Sequence, residues 1–197
     1  MPQMTDEMPS SQRPRAPHHA PPAVCLVGFM GAGKTTVGQA LAARLGWRFV
    51  DLDDLIVARD GRTIPQIFQQ SGEVAFRGLE RELLEEALRF PRAGGSVLSL
   101  GGGAFIDNTN QQLLRENEVA AVFLDAPAEE LFRRCERPGV IRPLLSDRDR
   151  FYALYEQRRP KYLNAAHCIQ TAGREIASIV DEIITRLSLD ANSGASK

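Results

Sequence analysis

The stretch AVCLVGFMGAGKTT, Ala23 to Thr36, runs from a short apolar segment straight into three glycines, a lysine and two threonines. The apolar run AVCLVGF is short and bounded by glycine, so it reads as a buried strand. The segment that follows, KTTVGQALAARLG, carries Val37, Leu41 and Leu45 at helical spacing and stops at Gly46. Between strand and helix, Gly28, Gly33, Lys34 and Thr35 fit the pattern G-x-x-x-x-G-K-[ST] without a gap. Glycines let successive backbone N–H groups turn inward and form a nest for phosphate oxygens. The helix that follows offers its unpaired N–H groups and positive dipole end to the same anion. A lysine at this place can reach the β- and γ-phosphates, and the Thr35 hydroxyl can ligate Mg²⁺. The stretch therefore implies a nucleoside triphosphate site, without separating a kinase from a GTPase or a mechanical ATPase.

Outward from this loop, short apolar runs alternate with amphipathic ones. RFVDLD reads as a second strand, TIPQIFQQSG and EVAFRGLERELLEEALRF as two helices broken at Gly72, and SVLSLGGG as a strand ending in glycines. TNQQLLRENE, PAEELFRRCE (opened by Pro127), DRFYALYEQRRPKYLNAA and REIASIVDEIITRLSL read as helices, with VAAVFLDA and HCIQT as strands among them. Such alternation predicts an α/β layered fold with a parallel sheet, whose ligands bind beyond the carboxyl ends of the strands. The proline-rich segment 1–22 is expected to be a disordered tail, residues 23–189 a single domain, and 190–197 a second loose tail. His18 and His19 lie in the first tail and read as solvated.

The bulk numbers exclude more than they assign. The 197 residues carry a net charge of −1, which gives no reason to expect a nucleic acid or an anionic membrane as partner. Of 24 basic residues only Lys34, Lys161 and Lys197 are lysines, leaving 21 arginines, so a lysine retained inside the glycine loop stands out. Cys25, Cys135 and Cys168 show no paired spacing, and no apolar run reaches a membrane-spanning length. A cytoplasmic, monomeric protein is the expectation.

The residues after the later strands carry chemistry. Asp51 and Asp53 in DLDD are two apart, so in extended geometry both carboxylates would enter one crevice. One could organise Mg²⁺ and the other accept a proton; the competing reading makes Asp53 or Asp54 a helix cap. Arg77 and Glu80 in FRGLE share a helix face, as an ordinary surface ion pair also would. Gly101, Gly102 and Gly103 close a strand, either for a ligand against the backbone or for a flexible turn. RPLL, Arg142 to Leu145, lies in an arginine-rich irregular segment that suits either a lid over a transferring phosphate or a solvated loop.

In this order (GxxGAGK[ST]T, DxD, FRxxE, GGG, RPLL and RxPxY as RRPKY, Arg158 to Tyr162) the motifs together resemble the shikimate kinase family, over Gly28 to Tyr162. The resemblance implies a P-loop fold like that of the nucleoside monophosphate kinases: a five-stranded parallel sheet in the order 2-3-1-4-5, a helical substrate-binding insertion near 51–90, and a lid near 135–148. It implies ATP and Mg²⁺, with Gly31, Ala32, Gly33, Lys34, Thr35 and Thr36 on the phosphates and Thr35 and Asp51 on the metal. Asp53 would bind the shikimate hydroxyls and assist deprotonation. Arg77 and Arg158 would clamp the carboxylate, with Gly101 to Gly103 against the substrate. Arg142 would reach the phosphates, and Arg174 the adenine. Arg133, Arg134 and Arg137 compete for a second adenine contact, with Arg134 favoured. Gluconate kinases share the loop and lid logic, whereas a GTPase would want N-K-x-D, which does not occur.

Overall fold

The computed structural model describes residues 22–89, 95–136 and 147–189. The expected tails, Arg137, the RPLL segment with Arg142 and most of the expected lid lie outside the described residues. Five strands form one parallel sheet: β1 (Ala23–Val27), β2 (Arg48–Asp51), β3 (Ser96–Ser99), β4 (Ala120–Asp125) and β5 (His167–Gln170), in the order β2-β3-β1-β4-β5. Among the described residues seven helices accompany them: α1 (Lys34–Leu45), α2 (Leu52–Asp60), α3 (Ile64–Arg89), α4 (Asn108–Glu116), α5 (Ala128–Cys135), α6 (Arg148–Tyr162) and, after β5, α7 (Ile176–Leu187). A 3-10 turn, Ala104–Ile106, follows β3.

The unbroken apolar run of β1 has its reason here. The strand is central, pairing with β3 and β4, and all five residues are buried. A parallel strand covered on both faces cannot alternate polar and apolar side chains. The edge strand β2 keeps only Val50 buried. Cys25 sits in this interior, where burial pushes its thiol pKa far up and leaves it inert. An aromatic cluster braces the start of the glycine loop: the Phe29 ring meets Phe151 and Tyr155 edge-on at 5.1 and 5.6 Å, and Phe151 meets Phe132 at 5.1 Å. Loop, α5 and α6 are thereby one packed unit, each fully buried ring contributing ~1.5–3 kcal/mol.

Local signals behave as physics requires. α1 ends on Gly46 in the left-handed conformation, its N–H capping Ala42 and Ala43. Gly72 breaks α3 with φ 80° and ψ 172°, at the point where the sequence predicts two helices. Because all strands run one way and in register, Val27, Asp51, Ser99, Asp125 and Gln170 finish at one rim of the sheet. The loops beyond that rim carry the expected site residues.

Candidate active site

The phosphate cradle is shaped by backbone. Gly28, Gly31 and Gly33 have φ of 146°, 80° and 90°, a region L side chains avoid. A Cβ at Gly28 would stand 2.7 Å from the Leu124 carbonyl oxygen, and one at Gly31 2.7 Å from that of Leu131. Gly33 caps α1 without any side-chain bond, so the first N–H groups of the helix face the loop. Lys34 lies across the mouth, its Nζ donating to the Gly28 and Phe29 carbonyls at 3.0 and 3.2 Å.

Thr35 Oγ1 donates to Asp51 Oδ2 at 2.9 Å, and Asp51 Oδ1 accepts the Asp53 N–H at 3.1 Å. The aspartate pair is thus not the extended one the sequence suggests. Asp51 ends β2 and is itself the cap of α2, while Asp53 lies in the first turn of that helix. The cap falls earlier than Asp53 or Asp54 because only a residue still extended can turn its carboxylate back onto the first helical N–H groups. Both carboxylates nevertheless line one open cleft of about 780 Å³, with residues 31–36 on its floor. Burial raises the Asp53 pKa, the charge of Asp51 adds to this, and Lys34 and Arg77 oppose it.

At the far end of the cleft stand Arg134, Thr171, Arg174 and Ile176. Arg134 donates to the Thr171 carbonyl at 2.9 Å, to the Thr171 hydroxyl at 3.3 Å and to the Gly31 carbonyl at 3.4 Å, and pairs with Glu130 at 2.5 Å. The guanidinium is pinned edge-on between the glycine loop and the β5–α7 connection. Arg174 does not open the last helix as the sequence suggests. It precedes the capping residue Glu175 and reaches back to the Gln170 carbonyl (3.1 Å), the Ser178 hydroxyl (2.8 Å) and Glu182. Ile176, 40% exposed in the cleft, was not singled out in the sequence. An isoleucine opening a helix after a glycine turn was the only available hint.

The glycine triplet collects side chains from three separate stretches. A Cβ on Gly101 would lie 2.5 Å from Asp53 Oδ1. One on Gly102 would lie 3.5 Å from Arg158 Nη1 and 3.6 Å from Tyr162 Oη, and one on Gly103 2.8 Å from Arg77 Nη1. Asp53, Arg158 and Arg77 therefore surround the turn where no side chain intervenes. Arg77 is held from behind. Its Nη1 donates to Glu80 at 2.7 Å, and its guanidinium lies 5.1 Å from the Phe76 ring centre. Glu80 is 1% exposed; burial raises its carboxyl pKa and the Arg77 bond pulls the other way. Tyr162, buried, donates to the Gly102 carbonyl, and burial pushes its phenol up to about 12 while the adjacent Arg158 opposes. The role of Tyr162 was invisible because nothing in a sequence ties residue 162 to residue 102.

A parallel sheet in this order, with a glycine cradle and two guanidinium groups facing a second glycine turn, defines a P-loop phosphotransferase of the small-molecule kinase type. The family model described as "Shikimate kinase" matches residues 30–188. The shikimate kinase of Persephonella marina is 41% identical over 165 residues, covering 83% of this chain and 98% of its own. Among solved structures, the shikimate kinase of Bacteroides thetaiotaomicron aligns with TM-score 0.77 and 33% identity, covering 85% of this chain and 98% of its own. The shikimate kinase of Acinetobacter baumannii, solved in complex with shikimate, aligns with TM-score 0.75 and 34% identity, covering 85% and 93%. The chain belongs to the shikimate kinase family.

Proposed function

We propose that the protein transfers the γ-phosphoryl group of ATP to the 3-hydroxyl of shikimate, giving shikimate 3-phosphate and ADP. The observation that carries this reading is the convergence of Asp53, Arg158 and Arg77 on the glycine triplet beside the cradle. Two guanidinium groups suit a carboxylate, which planar forks bind bidentately. An aspartate between them and the phosphates suits ring hydroxyls.

In this reading the 3-hydroxyl oxygen attacks the γ-phosphorus, the bond to the β,γ-bridging oxygen breaks, and ADP leaves with that electron pair. Asp53 receives the hydroxyl proton, and its raised pKa makes it a better base than an ordinary aspartate. Lys34 exchanges its two loop carbonyls for β- and γ-phosphate oxygens. The pinned guanidinium of Arg134 and the apolar Ile176 offer two faces to the base. The Thr35 hydroxyl and Asp51 are both oxygen donors 2.9 Å apart, which fits Mg²⁺, an ion that keeps several waters and takes one or two protein ligands plus phosphate. Bound there, Mg²⁺ would neutralise phosphate charge.

A coupled assay of ADP release across small hydroxy acids tests the proposal. Turnover with shikimate and little with gluconate is expected; equal turnover with both would overturn the substrate assignment.

A further inference from the structure

Arg158 lies near the C-terminal end of α6, where the helix lacks one of its own hydrogen bonds. Pro160 stands inside α6. A proline there has no N–H for the carbonyl of Glu156, and its ring crowds that carbonyl. Losing that bond leaves more of the direction of residues 158–162 to tertiary contacts. Two stripes of α6, each spaced four residues apart, supply them. Tyr162 donates to the Gly102 carbonyl, while Arg158 faces that glycine. On the neighbouring stripe, Tyr155 donates to the Ala126 carbonyl at 3.1 Å. One turn later Arg159 grips Asp125 with two bonds, Nε to Oδ1 at 3.2 Å and Nη2 to Oδ2 at 2.7 Å.

Asp125 is a fixed point. It ends the buried strand β4, is 3% exposed, and also accepts from Gln170 at 3.1 Å. We infer that the Asp125–Arg159 fork is a positioning pair: it anchors α6 to the end of β4 at the proline break, and so aims the neighbouring Arg158 at the glycine triplet. The inference rests on the substrate reading above for its functional consequence, though not for its structural one. A bidentate fork fixes both position and rotation of a helix turn, which a lysine in its place would not.

Arg159→Met removes the anchor but leaves Asp125 buried with one partner fewer. The double variant Asp125→Asn/Arg159→Met removes it without an orphaned charge and guards against simple misfolding. In both, the shikimate Kd by calorimetry should rise about tenfold, as a displaced binding group costs. The Kd for a non-hydrolysable ATP analogue should stay within about twofold, and kcat at saturation should change little. Arg159→Lys should fall between wild type and Met. Amide hydrogen exchange of the ligand-free proteins should show lost protection in residues 157–163 and none in β1 or α1. A folded double variant with unchanged shikimate affinity, an equal loss for both ligands, or unchanged exchange at 157–163 would overturn the inference. If the wild type itself bound no shikimate, the substrate reading would fail, and the exchange result alone would decide the anchor.

Discussion

The two glycine-rich turns of this site do opposite things with the absence of a side chain. In the cradle, Gly28 and Gly31 are needed by the backbone: their φ values lie in the left-handed range, and a Cβ would strike carbonyl oxygens that cannot move. In the triplet, Gly103 has a negative φ of −101° that any residue can adopt, and the nearest atom to a Cβ on each of the three is the end of a side chain. In the proposed function the cradle presents its own amides to the phosphates. The triplet makes room for Asp53, Arg158 and Arg77 to meet the substrate. One glycine turn is a surface and the other is a window.

The comparison is tested most severely at the cradle. Lys34 adds a charge to a loop whose shape is set by its glycine backbone, and the carbonyls it bonds lie at an open cleft, so Lys34→Met should leave the fold intact, with Tm within about 2 °C of wild type. Loss of that charge at the transferring phosphate should lower kcat by roughly 10³-fold. Thermal unfolding and steady-state turnover together check this; a large fall in Tm would show that the loop depends on its lysine.

Asp53 lies where the two turns meet, and Asp53→Asn should separate chemistry from stability. Its carboxyl pKa is raised, by burial first and then by Asp51, so the folded protein binds this proton more tightly than the unfolded chain does. The contribution to stability is present at low pH and is lost as pH rises from the ordinary aspartate range through the raised value. Once the pH is above the raised value, both states are ionised and the folded state carries the full cost. The Asn variant should therefore have a Tm at pH 7 equal to or above wild type, while kcat falls about 10²-fold. The acidic limb of kcat/KM, displaced upward from a normal aspartate in the wild type, should vanish. A variant that loses stability at pH 7 would contradict the assigned direction.

How much of this was legible in the sequence follows from the same contrast. The cradle was readable because its parts are contiguous: nine residues, with a strand before and a helix after, specify the backbone conformation locally. The break at Gly72 and the stop at Gly46 were readable for the same reason. The triplet was readable only as a family resemblance, since Gly101, Asp53, Arg77 and Arg158 become neighbours through the sheet order. The extended reading of Asp53 fails because period-two spacing does not reveal that Asp51 caps a helix whose first turn holds Asp53. Ile176 and the Asp125–Arg159 fork left no local signal, and Tyr162 was visible only as the end of RxPxY, because each gains meaning from a partner elsewhere in the fold.

The smallest expected effect is also the sharpest comparison. Gly103→Ala asks nothing of the backbone, whose negative φ of −101° alanine can adopt, and its added methyl would meet Arg77 at both terminal nitrogens. Those atoms end a flexible side chain, so the guanidinium should yield rather than the fold. It cannot yield freely, because Glu80 and the Phe76 ring hold it from behind. A shift of an ångström or so, with the Glu80 bond stretched, is the cheapest response. The shikimate KM should then rise about tenfold, with the ATP KM and the Tm almost unchanged. Gly102→Ala, whose methyl would sit at 3.5 Å from Arg158 in ordinary contact, should raise it less. If Gly103→Ala instead lowered Tm and weakened ATP to the same degree, the triplet would be a backbone requirement like the cradle, and the distinction between surface and window would be lost.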